Sequence, residues 1–527
     1  MPDLVTIKRA LISVSDKTDL IAFARRLVSH GVQIISTGGT ARALVEAGIN
    51  VTPIDQVTGF PEMMDGRVKT LHPRVHGALL ALRDNPEHVE AMTEHGIQPI
   101  DLLCVNLYPF EETIAQPEVR EAEAIEQIDI GGPSMLRSAA KNHAFVTVVS
   151  DPSQYDRVVN EMDLNGGATT LSLRRDLAAA AFARTAAYDT SIAEWLCSRV
   201  PTRFPQTLIL RMHRQTLLRY GENPHQEGAL YVDPESQEPS LARAEQLHGK
   251  ELSFNNLYDA NGALELVKEI AADEMAAVAV IKHANPCGFA VADDVAEAFD
   301  KAYNGDPLAA FGGIVAFNRN VTLEAAQRIV EGQKFLEVIV APDFDGPALE
   351  LLRERWKNVR LLKVGPLPAP ADRDMREHDI KRITGGLLVQ QRDLAAIAPE
   401  RWQHVAGPQP SEADVLDMRL AMIAVKHLKS NAVCLVRDGM LVGAGAGQMD
   451  RVASCRIAVE KAGDRAKGAT VGSDAFFPFR DGPDVLIAAG VKTIVQPGGS
   501  KRDDETIAAC NEANVSLIFT GTRHFRH

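Results

Sequence analysis

The amino-acid sequence predicts an α/β protein built from several domains. Short runs rich in apolar and β-branched residues alternate with segments of helical periodicity, and four of these runs are Ala10–Val14, Val32–Ser36, Leu102–Leu107 and Ala144–Val149. Such alternation is typical of βαβ units, in which helices cover both faces of a parallel sheet. At 527 residues the chain is longer than one hydrophobic core supports. The length therefore predicts about three or four domains.

Two segments that contain proline predict the domain boundaries. Arg199–Pro205 follows a long Ala-rich helical stretch, and Gly365–Pro370 interrupts the α/β pattern further along the chain. Proline and glycine in such segments favour linkers over regular structure. The predicted domains are residues 1–198, which include the helical bridge, residues 199–370 and residues 371–527.

The last two predicted domains share a pattern that indicates a distant duplication. The apolar run Ala277–Ile281 leads into Lys282-His283, and the run Met422–Val425 leads into Lys426-His427. We therefore interpret these two Lys-His sequences as equivalent positions of the two repeats.

Composition excludes several classes of protein. The net charge of −14 argues against a broad nucleic-acid-binding face, which is usually basic. Six scattered cysteines without a CxxC pair fit a reducing compartment better than a disulfide scaffold. The sequence shows neither a signal-peptide pattern nor an apolar run long enough to span a membrane. We therefore expect a cytoplasmic enzyme that acts on metabolites.

The N-terminal part contains several motifs that could bind phosphate. Ser36–Thr40 lies where a strand gives way to a helix, and a Gly-rich helix start offers free N–H groups to an anion. Arg67 and Lys69 follow in a loop, where Arg67 would make a forked contact and Lys69 would act as a point charge. Gly131-Gly132 begins a second Gly-rich helix. Taken singly, these motifs also fit a plain turn and a solvated basic loop, and no Walker A pattern indicates ATP hydrolysis.

The C-terminal part contains two chemically dense segments. Leu218–Gln226 groups polar and aromatic residues around Gly and Pro, as expected for a loop displayed on a scaffold. Lys282-His283 follows a buried apolar run and combines a cation with a group that exchanges protons near neutral pH. Pro286-Cys287 invites comparison with zinc deaminases, but position 290 is Ala290 and no HxE motif precedes it. The sequence therefore predicts that no metal is bound.

Together these motifs resemble the bifunctional family that couples AICAR transformylase to IMP cyclohydrolase in purine biosynthesis. The resemblance covers essentially the whole chain and is carried by Ser13–Thr18, Ser36–Thr40, Arg67–Pro73, Asn106–Phe110, Asp129–Gly132, Leu218–Gln226, Lys282–Gly288 and Ser473–Asp481. It implies an N-terminal doubly wound domain similar to methylglyoxal synthase. It also implies two C-terminal α/β units similar to cytidine deaminases without their metal, and a homodimer that shares the transformylase site between subunits.

The resemblance implies a formyl transfer from 10-formyltetrahydrofolate to AICAR, which gives FAICAR. His283 would act as the base, Lys282 would stabilise the oxyanion or protonate the departing folate nitrogen, and Asn431 would hold the formyl oxygen. Arg219 and Tyr220 would bind the nucleotide. The residues implied for the folate cosubstrate are Phe311, Gly312, Phe476, Phe477, Phe479 and Asp481.

The resemblance further implies that the N-terminal domain closes FAICAR to IMP with loss of water. The candidate catalytic residues are Lys69, Tyr108, Asp129 and Lys141, without an assignment of acid and base among them. The residues implied for binding the phosphate and ribose are Ser15, Lys17, Ser36, Thr37, Gly38, Gly39, Thr40, Arg67, Thr70, Asn106, Gly131 and Gly132.

A different class of function stays open at this point. The chain could be a metal-dependent, deaminase-like hydrolase of nucleosides or nucleotides with an N-terminal nucleotide-sensing domain. Sensing requires a phosphate site but no acid–base groups, so the combination of Lys69, Tyr108 and Lys141 favours catalysis. Bound zinc would favour the alternative.

Overall fold

The computed structural model describes residues 1–116, 118–200, 204–234, 236–375 and 377–527. The chain divides into two compact units, Met1–Arg211 and Met212–His527. The predicted linker Arg199–Pro205 includes residues 201–203, which lie outside the described residues. None of the described helices combines the length and apolar character that a membrane span requires.

The first unit alternates strands and helices, as the sequence predicts. Its strands are β1 (Leu4–Thr6), β2 (Arg9–Ser13), β3 (Gln33–Ser36), β4 (Val51–Pro53), β5 (Leu102–Val105), β6 (Thr147–Val149) and β7 (Ala168–Thr170). Its helices are α1 (Leu20–Ser29), α2 (Gly38–Glu46), α3 (Ile54–Thr58), α4 (Pro73–Leu80), α5 (Pro86–Glu94), α6 (Phe110–Ile114), α7 (Glu121–Glu126), α8 (Gly131–Lys141), α9 (Tyr155–Leu164) and α10 (Leu171–Cys197).

Five of these strands form one parallel sheet in the order β4-β3-β2-β5-β6. The chain proceeds outward from β2 to β3 and β4 on one side, and from β5 to β6 on the other. The loops after β2 and β5 therefore diverge at the carboxyl edge, where α/β sheets bind ligands. The strands are apolar and buried, as expected for a sheet covered on both faces. The predicted doubly wound fold is confirmed.

The second unit is larger and also mixes strands with helices. Its strands are β8 (His213–Leu218), β9 (Gly228–Val232), β10 (Glu245–His248), β11 (Ala276–Lys282), β12 (Asn285–Ala292), β13 (Gly313–Phe317), β14 (Leu336–Ala341), β15 (Arg360–Lys363), β16 (His378–Ile383), β17 (Gly386–Gln391), β18 (Gln403–Ala406), β19 (Val433–Arg437), β20 (Met440–Gly445), β21 (Thr470–Ser473), β22 (Thr493–Gln496) and β23 (Ser516–Phe519). Its helices are α11 (Phe254–Val267), α12 (Val295–Gly305), α13 (Pro307–Ala310), α14 (Leu323–Val330), α15 (Gly346–Arg355), α16 (Glu412–Lys426), α17 (Arg451–Ala462), α18 (Asp481–Ala488) and α19 (Asp503–Ala513).

Twelve strands of this unit form one sheet with an internal repeat. The order is β10-β15-β14-β13-β11-β12 followed by β20-β19-β21-β22-β23-β18. The second half repeats the first in reverse, because each half has the same sequence of antiparallel and parallel pairings. The halves meet where Ala290 of β12 pairs with Met440 of β20.

The repeat extends to the register of the two central hairpins. In β11–β12 a bulge lies between Val280 and Ile281, and in β19–β20 a bulge lies between Leu435 and Val436. Each bulge precedes a two-residue turn by the same number of pairs. The duplication that the sequence indicates is therefore visible in the strand pairing.

The structure corrects the equivalence of the two Lys-His pairs. Lys282 ends strand β11, whereas Lys426 ends helix α16. The strand pairing makes Arg437-Asp438 the counterpart of Lys282-His283. The pairing in the sequence was wrong because a short apolar run fits a buried strand and a buried helix equally well.

Candidate active sites

The start of helix α2 lies at the carboxyl edge of the first unit's sheet. The Ser36 hydroxyl donates to the carbonyl of Ile12 at 2.7 Å, and Thr37 Oγ1 lies 2.6 Å from Ser13 Oγ. Thr40 is buried and bonds both backbone groups of Val14. These hydroxyls therefore tie the end of β3 and the start of α2 to the end of β2 and to Val14, the residue after it. The first turn of α2 has no side-chain cap. Its backbone N–H groups are therefore the part of the motif that could bind a phosphate.

A cavity of about 210 Å³ opens beside this helix start, and Lys69 reaches into it. A Cβ at Gly38 would lie 3.0 Å from Lys69 Nζ, and Gly38 has a φ of 43°. The Lys69 cation thus lies beside the first residue of α2, and it also pairs with Glu62 at 2.7 Å. Part of the lining was not predicted from the sequence and comes from the end of β4, from α3 and from the loop after it: Pro53, Ile54, Asp55, Phe60 and Glu62.

Asn106 follows β5 and shapes the loop after β2. Its Oδ1 accepts from the amides of Ser15 and Asp16 at 2.6 and 3.0 Å, and its Nδ2 donates to Asp16 O at 2.8 Å. Lys17 is exposed, and its Nζ donates to Ser15 O at 3.2 Å. The structure thus brings Ser15, Lys17 and Asn106 together where the two halves of the sheet diverge. The side chain of Asn106 is used to bind the backbone of the loop after β2.

Asp129 and Tyr108 lie close together at the same edge. The Asp129 carboxylate accepts the amides of Gly132, at 2.8 Å, and of Tyr108. Burial raises the pKa of Asp129, with these amides opposing the rise. Burial and the nearby Asp129 raise the pKa of Tyr108, so its half-exposed phenol stays protonated at neutral pH. Glycine is needed at Gly132, because a Cβ there would lie 2.3 Å from Asp129 Oδ2.

The remaining N-terminal candidates lie at different distances from the start of α8. Thr70 Oγ1 lies 2.8 Å from the position of a Cβ on Gly131, so it sits at the start of α8. Arg67 is paired with Glu126. Lys141 is exposed and ends α8, about 15 Å along the helix axis from Gly131. The structure therefore does not bring the backbone of Lys141 to Asp129.

In the second unit, Lys282 and His283 stand at the tip of the β11–β12 hairpin. Lys282 pairs with Asn285, which leaves His283-Ala284 as a two-residue turn with φ values of 51° and 58°. Lys282 Nζ donates to Gly312 O at 3.0 Å, and a longer contact of 3.4 Å reaches Phe311 O. Lys282 therefore stands beside Phe311 and Gly312, the first two folate candidates.

Asn285 connects this turn to the segment that carries Asn431. Its Nδ2 donates to His283 O at 3.1 Å, and its Oδ1 accepts from Lys429 N at 3.1 Å. Asn431 donates to Gln448 O at 2.9 Å and accepts from Arg451 at 2.9 Å. Because its side chain is held from both sides, the orientation of Asn431 is fixed.

A cavity of about 310 Å³ lies beside Asn431, and the C-terminal tail forms part of its wall. The lining residues are Ser430, Asn431, Gly447, Gln448, Met449, Phe525 and His527. The tail is anchored where His524 N donates to Asp474 O at 3.1 Å and Ser430 N donates to Arg526 O at 2.9 Å. Phe525 and His527 were not predicted from the sequence, although Arg523–His527 consists of basic and aromatic residues.

The other folate candidates differ in accessibility. Phe476 and Phe479 are 38% and 49% exposed, whereas Phe477 is fully buried in the hydrophobic core. The Phe477 amide donates to Gln496 at 2.8 Å, so this residue is structural. Asp481 is exposed at the first position of α18.

Arg219 and Tyr220 follow strand β8 and contact each other. Arg219 Nη2 donates to the Tyr220 hydroxyl at 3.1 Å, and its guanidinium lies 4.9 Å from the ring centroid. The loop they begin reaches helix α11, where Asn255 Nδ2 donates to Glu222 O at 3.2 Å.

Within the ranges that the structure describes, no group of three or more His, Cys, Asp and Glu residues is arranged to hold a metal ion. Burial raises the pKa of the Cys287 thiol to about 12. The residue that invited comparison with zinc deaminases is therefore not poised as a thiolate.

Comparison with known proteins bears on both units. Residues 19–134 match the model of the MGS-like domain, and residues 139–461 match that of the AICARFT/IMPCHase bienzyme. The chain is 52% identical to the "Bifunctional purine biosynthesis protein PurH" of Magnetococcus marinus, over 99% of this chain and 100% of that protein. It is 49% identical to the protein of that name from Oceanobacillus iheyensis, with the same coverage. The crystal structure of ForH is 39% identical and covers 37% of this chain and 98% of that one, with a TM-score of 0.34.

The full-length relatives and the two family models agree with the motifs and with the fold. They favour two catalytic activities over a deaminase-like hydrolase with a sensing domain. The chain belongs to the bifunctional AICAR transformylase/IMP cyclohydrolase family, whose members transfer a formyl group from a folate to AICAR and close the product to IMP in purine biosynthesis.

Proposed function

We propose that ring closure takes place at the carboxyl edge of the first unit's sheet and formyl transfer at the tip of the β11–β12 hairpin in the second unit. The observation that carries this division is that each unit has its own cavity, lined by one of that unit's predicted catalytic residues. Lys69 lines the first cavity, and Asn431 lines the second.

Formyl transfer requires a base for a weakly nucleophilic amine. As the 5-amino nitrogen of AICAR bonds to the formyl carbon, His283 takes the proton from that nitrogen. The formyl oxygen becomes an oxyanion, which Lys282 and the amide of Asn431 stabilise. The bond to the folate nitrogen then breaks, and that nitrogen is protonated as tetrahydrofolate leaves. Exposed Phe311, Phe476 and Phe479 offer aromatic faces to the folate, while Phe477 is buried in the core.

Ring closure joins the carboxamide nitrogen of FAICAR to its formyl carbon, and the formyl oxygen departs as water. The raised pKa of Asp129 makes its carboxylate a stronger base than an ordinary aspartate, suited to taking the amide proton. The neutral Tyr108 phenol donates to the formyl oxygen. Lys69 and the α2 amides bind the anionic end of the nucleotide. A role for Lys141 rests on its family motif alone.

Ligand-bound crystal structures test the division of labour. We expect AICAR with a folate analogue to bind beside Lys282, His283 and Asn431, and IMP to bind beside Lys69 and Asp129. Density for both nucleotides in one unit only would contradict it.

Formyl transfer is also proposed to need no metal. Ala290 stands where zinc deaminases have a second cysteine, and the Cys287 thiol donates to Val280 O at 3.4 Å. Zinc binds thiolates, which the raised pKa of Cys287 disfavours. We expect metal analysis of the purified protein to find zinc far below one equivalent, and EDTA dialysis to leave formyl transfer unchanged. Stoichiometric zinc whose removal stops the reaction would refute this.

We propose that the protein forms a homodimer. The hairpins β8–β9 and β16–β17 are separate two-stranded sheets, and isolated hairpins are marginally stable. They expose Leu217, Tyr231, Ile383 and Leu388, which favours burial against another surface. We expect a mass near twice 57.2 kDa by multi-angle light scattering. Aspartate at Leu217 and Leu388 is expected to shift that mass towards the monomer, whereas aspartate at exposed Leu164 of the first unit should not.

The cytoplasm is the proposed location of the enzyme. Its six cysteines are all unpaired, which fits a reducing compartment.

A further inference from the structure

The turn that carries His283 has a backbone that its own residues disfavour. His283 and Ala284 both have positive φ, as a type I′ turn requires at its two central positions. Asn-Gly and Asp-Gly are the favoured sequences there, because glycine adopts positive φ without steric cost. Histidine and alanine do not share that freedom. The surrounding structure must therefore hold this turn in place.

The second half of the same sheet provides a natural comparison. The counterpart turn lies between paired residues Arg437 and Met440 and consists of Asp438-Gly439, with φ values of 54° and 74°. This sequence is the one that a type I′ turn favours. The same backbone thus occurs twice, once with favoured residues and once with His283-Ala284.

Each turn receives a carboxylate from the helix of its own half. Asp259 on α11 accepts from the Ala284 amide at 2.8 Å and also from the His283 amide. Asp417 on α16 accepts from the Asp438 and Gly439 amides at 3.0 and 2.8 Å. A hydrogen bond to an ionised acceptor is stronger than one between neutral groups. The carboxylate of Asp259 therefore fixes the two amides of a turn that would otherwise rearrange.

We propose that Asp259 is a positioning residue for formyl transfer. It holds His283-Ala284 in the left-handed conformation and so fixes the imidazole of His283 relative to Lys282 and Asn431. The inference rests on the proposed role of His283, which Asp259 serves without touching substrate. Asp417 has the same contacts at a turn without a proposed catalytic residue.

The test uses the full-length protein and follows both half-reactions. Asp259→Ala is expected to lower kcat for formyl transfer about 100-fold, the effect of misplacing a catalytic group by about 1 Å. The KM for AICAR and the rate of ring closure should stay near their wild-type values. Asp259→Asn, which keeps one acceptor oxygen, should lose less activity. Asp417→Ala is the matched control and should leave formyl transfer unchanged.

Rescue separates positioning from a general structural role. Adding Ala284→Gly to Asp259→Ala should restore formyl transfer at least about tenfold, because glycine adopts the turn conformation unaided. Wild-type kcat in Asp259→Ala would overturn the proposal. The proposal would also be overturned if Asp259→Asn lost as much formyl transfer as Asp259→Ala and if adding Ala284→Gly restored none of it. His283→Ala is measured in parallel, because an active His283→Ala variant would refute the proposed function itself.

Discussion

Replacing His283 with alanine is expected to abolish formyl transfer from 10-formyltetrahydrofolate to AICAR, while ring closure of supplied FAICAR continues at the wild-type rate. General-base catalysis contributes about 10²- to 10⁴-fold to a rate, and the AICAR amine is too weak a nucleophile to dispense with it. The two cavities lie in different units, so the change should not reach the first. Tetrahydrofolate formation and IMP formation from FAICAR would be followed separately by absorbance.

The counterpart turn supplies the control for this substitution. Asp438 occupies the same position of the β19–β20 hairpin and is exposed. Asp438→Ala makes a comparable change to a type I′ turn and should keep both activities. Loss of ring closure in a folded His283→Ala protein would contradict the assignment of the two reactions to separate sites.

Replacing Lys69 with methionine is expected to have the opposite effect on the two reactions: ring closure is lost and formyl transfer is kept. Ring closure should fall by about 10²-fold or more, because Lys69 is the cation at the start of α2, where the nucleotide's anionic end is proposed to bind. Formyl transfer should persist, so FAICAR should accumulate when AICAR and 10-formyltetrahydrofolate are supplied. Product analysis by chromatography measures that accumulation directly.

Lys8 provides a matched control for the loss of charge. It is exposed and directly precedes β2, so it lies at the amino edge of the sheet, opposite the cavity. Lys8→Met should leave both reactions unchanged, and Lys69→Arg should retain part of the ring closure. Normal ring closure in Lys69→Met would exclude Lys69 from the site.

The sequence predicts the elements of the first unit well because the pattern there is local. Apolar runs such as Ala10–Val14 form buried parallel strands, and Ser36–Thr40 lies at a helix start as expected. What the pattern could not show is the direction of each hydroxyl. Ser36 bonds the backbone of β2, and Thr40 bonds that of Val14 directly after it. Both contacts depend on which strands are neighbours, and those strands are distant in sequence.

In the second unit, several site features could not be predicted from the sequence. Phe476 and Phe477 are adjacent and chemically identical, yet one is partly exposed and the other is buried, because the backbone directs them to opposite sides. Lys426-His427 looked equivalent to Lys282-His283 until the strand pairing showed otherwise. Phe525 and His527 reach the cavity only because the tail folds back onto Ser430, a contact that no local pattern predicts.

The continuous sheet of the second unit has a consequence for each half on its own. Since β12 and β20 pair with each other, separating the two halves would leave each with an open edge strand rich in apolar residues, and such edges promote aggregation. Either half expressed alone is therefore expected to aggregate or to pair with a second copy of itself across that edge. A single chain keeps the two edges together while its two hairpin tips carry different residues: Asp438-Gly439, which suit the turn, and His283-Ala284, which do not.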